Sequence, residues 1–272
     1  MKKRLSALIL AVATAAITLT GCGRKASSEN VFRVAMEAGY APFNWTQLGD
    51  SNGAVKIEGS SEYAGGYDVE IAKKIADSLG KELVIVKTEW DGLVPSLISG
   101  KIDAIIAGMS PTEERKETID FSDNYYESDL VMLVKKGGAY ENAKTLKDFS
   151  GAKITAQLNT FHYSVIDQIP SVNKQLAMDN FSAMRVALET GVIDGYVTER
   201  PEALSAEMAN ENFKMVEFTD GFVTSEEDTT IAVGLVKGSS LKDKINETLS
   251  GISKEERLEI MDTAIKNQPA AQ

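Results

Sequence analysis

Apolar residues along this chain fall into short runs and helical stripes that follow one another in a repeating order. Residues 31–36 (VFRVAM) alternate and carry branched side chains, which predicts a strand, with residues 37–43 as the loop at its carboxyl end. Val69, Ile71, Ala72, Ile75, Ala76 and Leu79 have helical spacing, so a helix capped by Asp68 is expected to run up to Gly80. Residues 83–86 predict the next strand, and Trp90 with Asp91 opens a helix to Ser99, in which Pro95 comes early enough to be tolerated. Ile102 and residues 104–107 form an apolar run between Gly100 and Gly108, too short for a helix, as expected of a strand covered on both faces. Ser110, Pro111 and Glu113 then have the spacing of a capping box with proline at the first helical position. Further strands are expected at 130–134, 152–157, 213–218 and 230–236, and helices at 180–190, 203–210 and 241–265. Residues 46–64 read as a hairpin or inserted loop, and residues 120–129 as a connection. Strands alternating with helices predict an α/β fold.

One piece of grammar occurs twice. Gly100-Lys101-Ile102-Asp103 and Gly191-Val192-Ile193-Asp194 each follow a helix end and precede a short strand with a polar tip. Two similar lobes are expected, each presenting strand ends to a shared cleft, because ligands of open α/β sheets gather at the carboxyl ends of strands. At the first tip, Gly108 lets the backbone approach a ligand, and Ser110 and Thr112 at a helix start favour an anion. Arg115 can grip a carboxylate through two charge-assisted hydrogen bonds, although a surface helix with a solvated arginine fits the same residues. The second tip carries Glu199, matched to a cation, so a zwitterion fits between them. Thr160, at another helix start, is a second carboxylate contact. The lone histidine, His162, has no cysteine or second histidine nearby and is assigned no metal and no catalytic base.

Residues 34–43 (VAMEAGYAPF), 66–72 (GYDVEIA), 90–97 (WDGLVPSL), 108–115 (GMSPTEER) and 120–123 (DFSD), in this order and spacing, resemble the family 3 extracytoplasmic solute-binding proteins of amino-acid ABC importers. The resemblance implies a two-lobed periplasmic-binding-protein-like fold of type II. Residues 31–129 with 223–272 would form lobe 1 and residues 130–222 lobe 2, joined by a two-segment hinge with the ligand in the cleft. It also implies that Tyr40 lies against the ligand side chain, that Trp90 stacks on it, and that Glu199 receives the α-ammonium at a position more often occupied by aspartate. The Gly108 carbonyl would share the ammonium. Many family members have glycine where this chain has Leu158, and the bulkier side chain can reshape that loop. The implied partners are the permease subunits of an importer, with no cofactor.

Composition narrows the alternatives. The 272 residues are 43% hydrophobic and 25% charged, ordinary for a soluble globular protein with one or two cores. The formal net charge of −11 becomes more negative still without residues 1–21, which carry Lys2, Lys3 and Arg4, and the absence of a basic cluster excludes nucleic acid as a partner. Residues 1–21 have a basic start and an apolar stretch shorter than the roughly 20 residues of a spanning helix, as in an export signal. They lead into Cys22, the only cysteine, in a Leu-Thr-Gly-Cys sequence that resembles a lipoprotein box. A lipidated Cys22 would anchor the protein outside the cytoplasm, with residues 22–30 as a flexible tether and the protein a monomer. No Gly-x-Ser-x-Gly, His-x-x-x-His or phosphate-binding glycine loop occurs, so binding is expected rather than catalysis or metal chemistry. A dehydratase-type enzyme on the same fold is the alternative of another class. Glu37, at the end of the first strand, can meet a positive head group, since a buried carboxylate without a counter-charge is costly. Arginine or lysine is therefore the favoured solute. The rival is a neutral polar amino acid such as glutamine or cystine, with Glu37 paired to a protein cation or facing water.

Overall fold

The computed structural model describes residues 30–269, so the expected export signal, Cys22 and the tether up to residue 29 lie outside the described residues. The chain begins with β1 (Val31–Met36), β2 (Gly39–Tyr40), β3 (Asn44–Gln47), β4 (Val55–Lys56), β5 (Tyr63–Gly65), α1 (Tyr67–Leu79) and β6 (Glu82–Lys87). It continues through α2 (Leu93–Ile98), β7 (Ala104–Ile105), α3 (Glu113–Thr118) and β8 (Asp120–Glu127). Next come β9 (Leu130–Lys135), β10 (Lys153–Thr155), α4 (Phe161–Val165), β11 (Asn173–Lys174), α5 (Phe181–Glu189), β12 (Gly195–Glu199), α6 (Arg200–Ala209) and β13 (Phe213–Val216). It closes with α7 (Glu226–Thr229), β14 (Thr230–Leu235), α8 (Lys242–Ser250) and α9 (Lys254–Asn267).

Two five-stranded sheets result, ordered β6-β1-β7-β14-β8 and β11-β10-β12-β9-β13. Each has three parallel strands at one side and antiparallel pairing at the other. The repeated Gly-x-Ile-Asp explains why they match. Gly100 and Gly191 turn the chain at φ 71° and 77°, and Ile102 and Ile193 are buried beneath the turn. The backbone N–H of Asp103 donates to the Arg33 carbonyl, and its carboxylate accepts from the Arg33 N–H, both at 2.8 Å. Asp194 repeats both bonds on Lys153, again at 2.8 Å. In each lobe the aspartate clamps the incoming strand to the neighbouring parallel strand and so fixes its register.

Several elements differ from expectation. Residues 120–127, expected as a connection, form the edge strand β8, because Phe121, Ser122 and Tyr125 are buried against β14. Residues 46–64 take the hairpin alternative and extend it: β3 and β4 pair antiparallel with β5, and with β2 they make a four-stranded sheet that carries Tyr40. The expected C-terminal helix is broken between α8 and α9, where Ser253 caps α9 by accepting from the Glu256 N–H at 3.1 Å. Beyond α9, Gln268 Nε2 donates to the Ser205 carbonyl of α6 at 3.0 Å, so the C-terminal segment also touches the second lobe.

Asp68 is not a cap. The first-turn N–H groups of Tyr67 and Asp68 donate to the carbonyls of Pro42 and Phe43 at 3.0 and 2.8 Å, which leaves the Asp68 carboxylate free and fully buried. It accepts from Asn44 Nδ2 at 2.7 Å and from the Tyr125 hydroxyl at 2.7 Å. Asn44 in turn accepts from the Ala38 N–H at 2.8 Å, and the Tyr125 hydroxyl accepts from the Gly108 N–H at 3.2 Å. One buried carboxylate thus fixes both loop tips of the first sheet. Burial pushes its pKa up to about 6, while the bonds from Tyr125 and Asn44 pull it down. Tyr125→Phe strips one partner from Asp68 and one from Gly108, and urea unfolding should register a loss of about 1–3 kcal/mol. An unchanged unfolding free energy would contradict this role.

Candidate functional site

Loops at the carboxyl ends of parallel strands from both sheets meet in one cleft. The first sheet contributes Glu37 and Tyr40 after β1, Trp90 after β6, and Gly108, Ser110 and Arg115 after β7. The second contributes Gln157, Thr160, Phe161 and His162 after β10, and Glu199 at the end of β12. A narrow, nearly closed cavity lies between them. Tyr40, Trp90, Gly108, Ser110, Arg115, Thr160 and Glu199 all line it, and of the residues named from the sequence Glu37 and Thr112 do not. Gln157, Phe161 and His162 complete the lining and were not assigned from the sequence.

The first tip is built differently from the expected capping box. Thr112 is the cap of α3, accepting from the Arg115 N–H at 3.5 Å, because Pro111 stays outside the helix. Ser110 instead donates its hydroxyl to the Asp228 carbonyl of α7 at 2.9 Å, tying this tip to the segment that returns to the first sheet. Its own carbonyl accepts from Arg115 Nη1 at 2.9 Å, while Nη2 donates to the Asn159 carbonyl across the cleft at 3.1 Å. The guanidinium sits over the Trp90 ring at 5.1 Å. Burial lowers the Arg115 pKa to about 10, which leaves it charged at neutral pH. At Gly108, φ is 62° and a Cβ would lie 2.7 Å from the Tyr40 ring, so a side chain fits neither the backbone nor the space.

The second tip holds the opposite charge. Glu199 is 4% exposed, one carboxylate oxygen accepts from the Tyr40 hydroxyl, and the other lies 3.1 Å from His162 Nε2. Burial would push the Glu199 carboxyl up, but the charge a protonated His162 places beside it and the hydrogen bond from the Tyr40 hydroxyl outweigh it and hold it below the ordinary value. Tyr40 is stacked on both faces, by Phe43 at 4.9 Å and by Phe181 of the second lobe at 4.3 Å, so it turns its hydroxyl and ring edge toward the cavity. The Thr160 hydroxyl donates to the Gln157 carbonyl at 2.7 Å. Asn159, with φ 56°, is a second tie across the cleft: its amide donates to Asp91 at 2.8 Å, and its carbonyl accepts from Trp90 at 3.4 Å. Its sequence signal was a polar residue of αL tendency at a strand end.

Glu37 lies beside this cavity. It is 9% exposed and accepts from Gln157 Nε2 of the second lobe at 3.1 Å. Burial pushes its pKa up to about 7, with Gln157 pulling down and Glu89 and Asp91 adding upward.

A buried cleft with a fixed cation at one sheet's tip and a fixed anion at the other's is the arrangement of a type II two-lobed solute-binding protein. The chain belongs to the bacterial extracellular solute-binding proteins, family 3, whose profile matches residues 32–264. The arginine-binding extracellular protein ArtP of Bacillus subtilis is 28% identical, over 95% of this chain and 96% of that protein. The glutamine-binding protein GlnH of the same organism is 35% identical over 75% of this chain and 74% of its own length. In structure, an amino-acid ABC transporter substrate-binding protein from Streptococcus pneumoniae bound to L-arginine superposes with a TM-score of 0.77 at 30% identity. That match covers 88% of this chain and 95% of the other.

The raised Glu37 pKa gives a signed prediction. The stability that protonated Glu37 contributes is complete below the ordinary value of 4.5 and is lost as the pH rises through about 7. Glu37→Gln keeps the acceptor for Gln157 and removes the buried charge. At pH 8 it should therefore stabilise the ligand-free protein by on the order of 1–2 kcal/mol, with little change at pH 5. Equal effects at both pH values in chemical denaturation would refute the assignment.

Proposed function

We propose that this protein captures a free L-amino acid, arginine or lysine, and delivers it to the membrane subunits of an ABC importer. The observation that carries the reading is that Arg115 and Glu199 line one buried cavity from the two lobes, a match for the carboxylate and ammonium of an amino acid. Arg115, Ser110 and Thr160 hold the carboxylate, and Glu199 with the Gly108 carbonyl holds the ammonium. Trp90 offers a ring face to the side chain, Tyr40 its hydroxyl and edge, and Glu37 the counter-charge to a cationic head group. Residues 31–129 with 223–272 close on residues 130–222, and because each half of the zwitterion is gripped largely by a different lobe, the ligand favours the closed form. Lipidated Cys22 keeps the protein at the outer face of the cell membrane as a monomer. A neutral polar solute is the second reading, favoured by one observation: Glu37 already takes the Gln157 amide and does not line the cavity.

Thermal denaturation of ligand-stripped protein against the common amino acids tests this. A solute at a hundredfold its dissociation constant adds about 2.7 kcal/mol, so a selective rise in melting temperature with L-arginine or L-lysine is expected. Arg115→Ala should abolish it, and Glu37→Gln should weaken the cationic solute by about 1–3 kcal/mol while sparing a neutral one. A rise with neutral amino acids alone would overturn the cationic assignment, and no rise with any would overturn the function.

A further inference from the structure

His162, set aside in the sequence, is the buried group whose surroundings ask most. It is 5% exposed and packs on Phe161 with ring centroids 4.3 Å apart. Its Nε2 lies 3.1 Å from Glu199 Oε1 without the alignment of a hydrogen bond, and neither ring nitrogen has a hydrogen-bond partner among the described residues. A buried polar nitrogen left unpaired is destabilising, and this ring lines the cavity itself. Glu199 is the one carboxylate of that lining, and Arg115 is its fixed cation. The protonation state of His162 therefore sets the charge of the cavity: neutral imidazole leaves Arg115 and Glu199 balanced, as a zwitterion requires, and imidazolium already neutralises Glu199.

Resting on the reading that Glu199 receives an α-ammonium, we propose that His162 is a further ligand-contacting residue of that subsite, whose charge sets affinity. In its neutral form Nε2 accepts one ammonium N–H beside Glu199. In its protonated form it takes the ammonium's place on Glu199, so capture of an amino acid releases the His162 proton to solvent. The groups that face His162 are Glu199 at the end of β12, Arg115 of α3 and the Tyr40 phenol of β2, while α4 carries no other charged side chain. Asp68 and Glu202 act on the same phenol from behind it. Histidine ordinarily changes charge between pH 5 and 8, and Glu199 Oε1, 3.1 Å from Nε2, is the group its imidazolium would neutralise. One displaced proton per bound ligand makes affinity fall with acid, by up to about tenfold per pH unit. Glu37 acts in the same direction for a cationic solute, and Glu37→Gln separates the two.

The chain contains one histidine, so the imidazole signals in a nuclear magnetic resonance titration of untagged full chain belong to His162. With ligand-free protein, Glu199→Gln should move the midpoint of that titration toward acid. Binding of L-arginine, or of whichever common amino acid binds, should do the same in wild type. In calorimetry, wild type and Glu37→Gln should both lose on the order of tenfold in affinity for that amino acid between pH 8 and pH 5.5. His162→Gln and His162→Asn should flatten the fall. A histidine signal indifferent to Glu199→Gln overturns the proposal whatever the ligand, and so does a pH profile abolished by Glu37→Gln but kept by the His162 variants. A signal that responds to Glu199→Gln while no amino acid binds overturns the amino-acid reading instead, and with it the role proposed for His162.

Discussion

Two buried charges of opposite sign, carried on the tips of two different sheets, are the constraint to which the rest of the cleft is fitted. Neither Arg115 nor Glu199 can sit in a water-poor cavity without partners, since an isolated buried charge is costly. Arg115 is met by the carbonyls of Ser110 and Asn159 and by the Trp90 ring. Glu199 is met by the Tyr40 hydroxyl and by His162. Both sets of partners cross between the lobes, through Asn159 in one case and Tyr40 in the other. The same groups that keep the charges soluble in the protein thus hold the two sheets together, and a ligand that supplies a carboxylate and an ammonium competes for them.

Holding those tips in place falls to groups well behind the cavity. The buried Asp68 carboxylate reaches the Glu37 loop through Asn44 and Gly108 through Tyr125. Asp103 and Asp194 fix the register of the strands that end at Gly108 and Glu199. The C-terminal segment adds a contact that the two lobes do not need for their own cores, because Gln268 bonds Ser205 of α6. Any relative movement of the lobes has to break or carry that bond.

Much of this was legible in the residues because it is local. The Gly-x-Ile-Asp repeat named two similar lobes from a turn, a buried side chain and a strand clamp that lie within four consecutive positions. Arg115 and Glu199 could be placed because each follows a Gly-x-Ile-Asp segment and its short strand, while the roles of Tyr40 and Trp90 came from the family resemblance. What stayed hidden depends on pairings between distant parts of the chain. The roles of Asp68 and Ser110 both read as helix caps, since nothing in the sequence says that Pro42 and Phe43 satisfy one helix start or that Thr112 begins the other. Residues 120–127 are too polar to announce a strand and become one only against β14. Gln157 and His162 gain their meaning from Glu37 and Glu199, 120 residues apart in the first pair.

The central claim is that one cleft grips both ends of a zwitterion. Calorimetric titration with L-arginine, with agmatine, which lacks the carboxylate, and with the desamino analogue, which lacks the ammonium, tests it most directly. Losing either group removes charge-assisted bonds worth about 1.5–3 kcal/mol each, so each analogue should bind at least on the order of a hundredfold more weakly than L-arginine. Binding of either analogue as tightly as L-arginine would contradict the account.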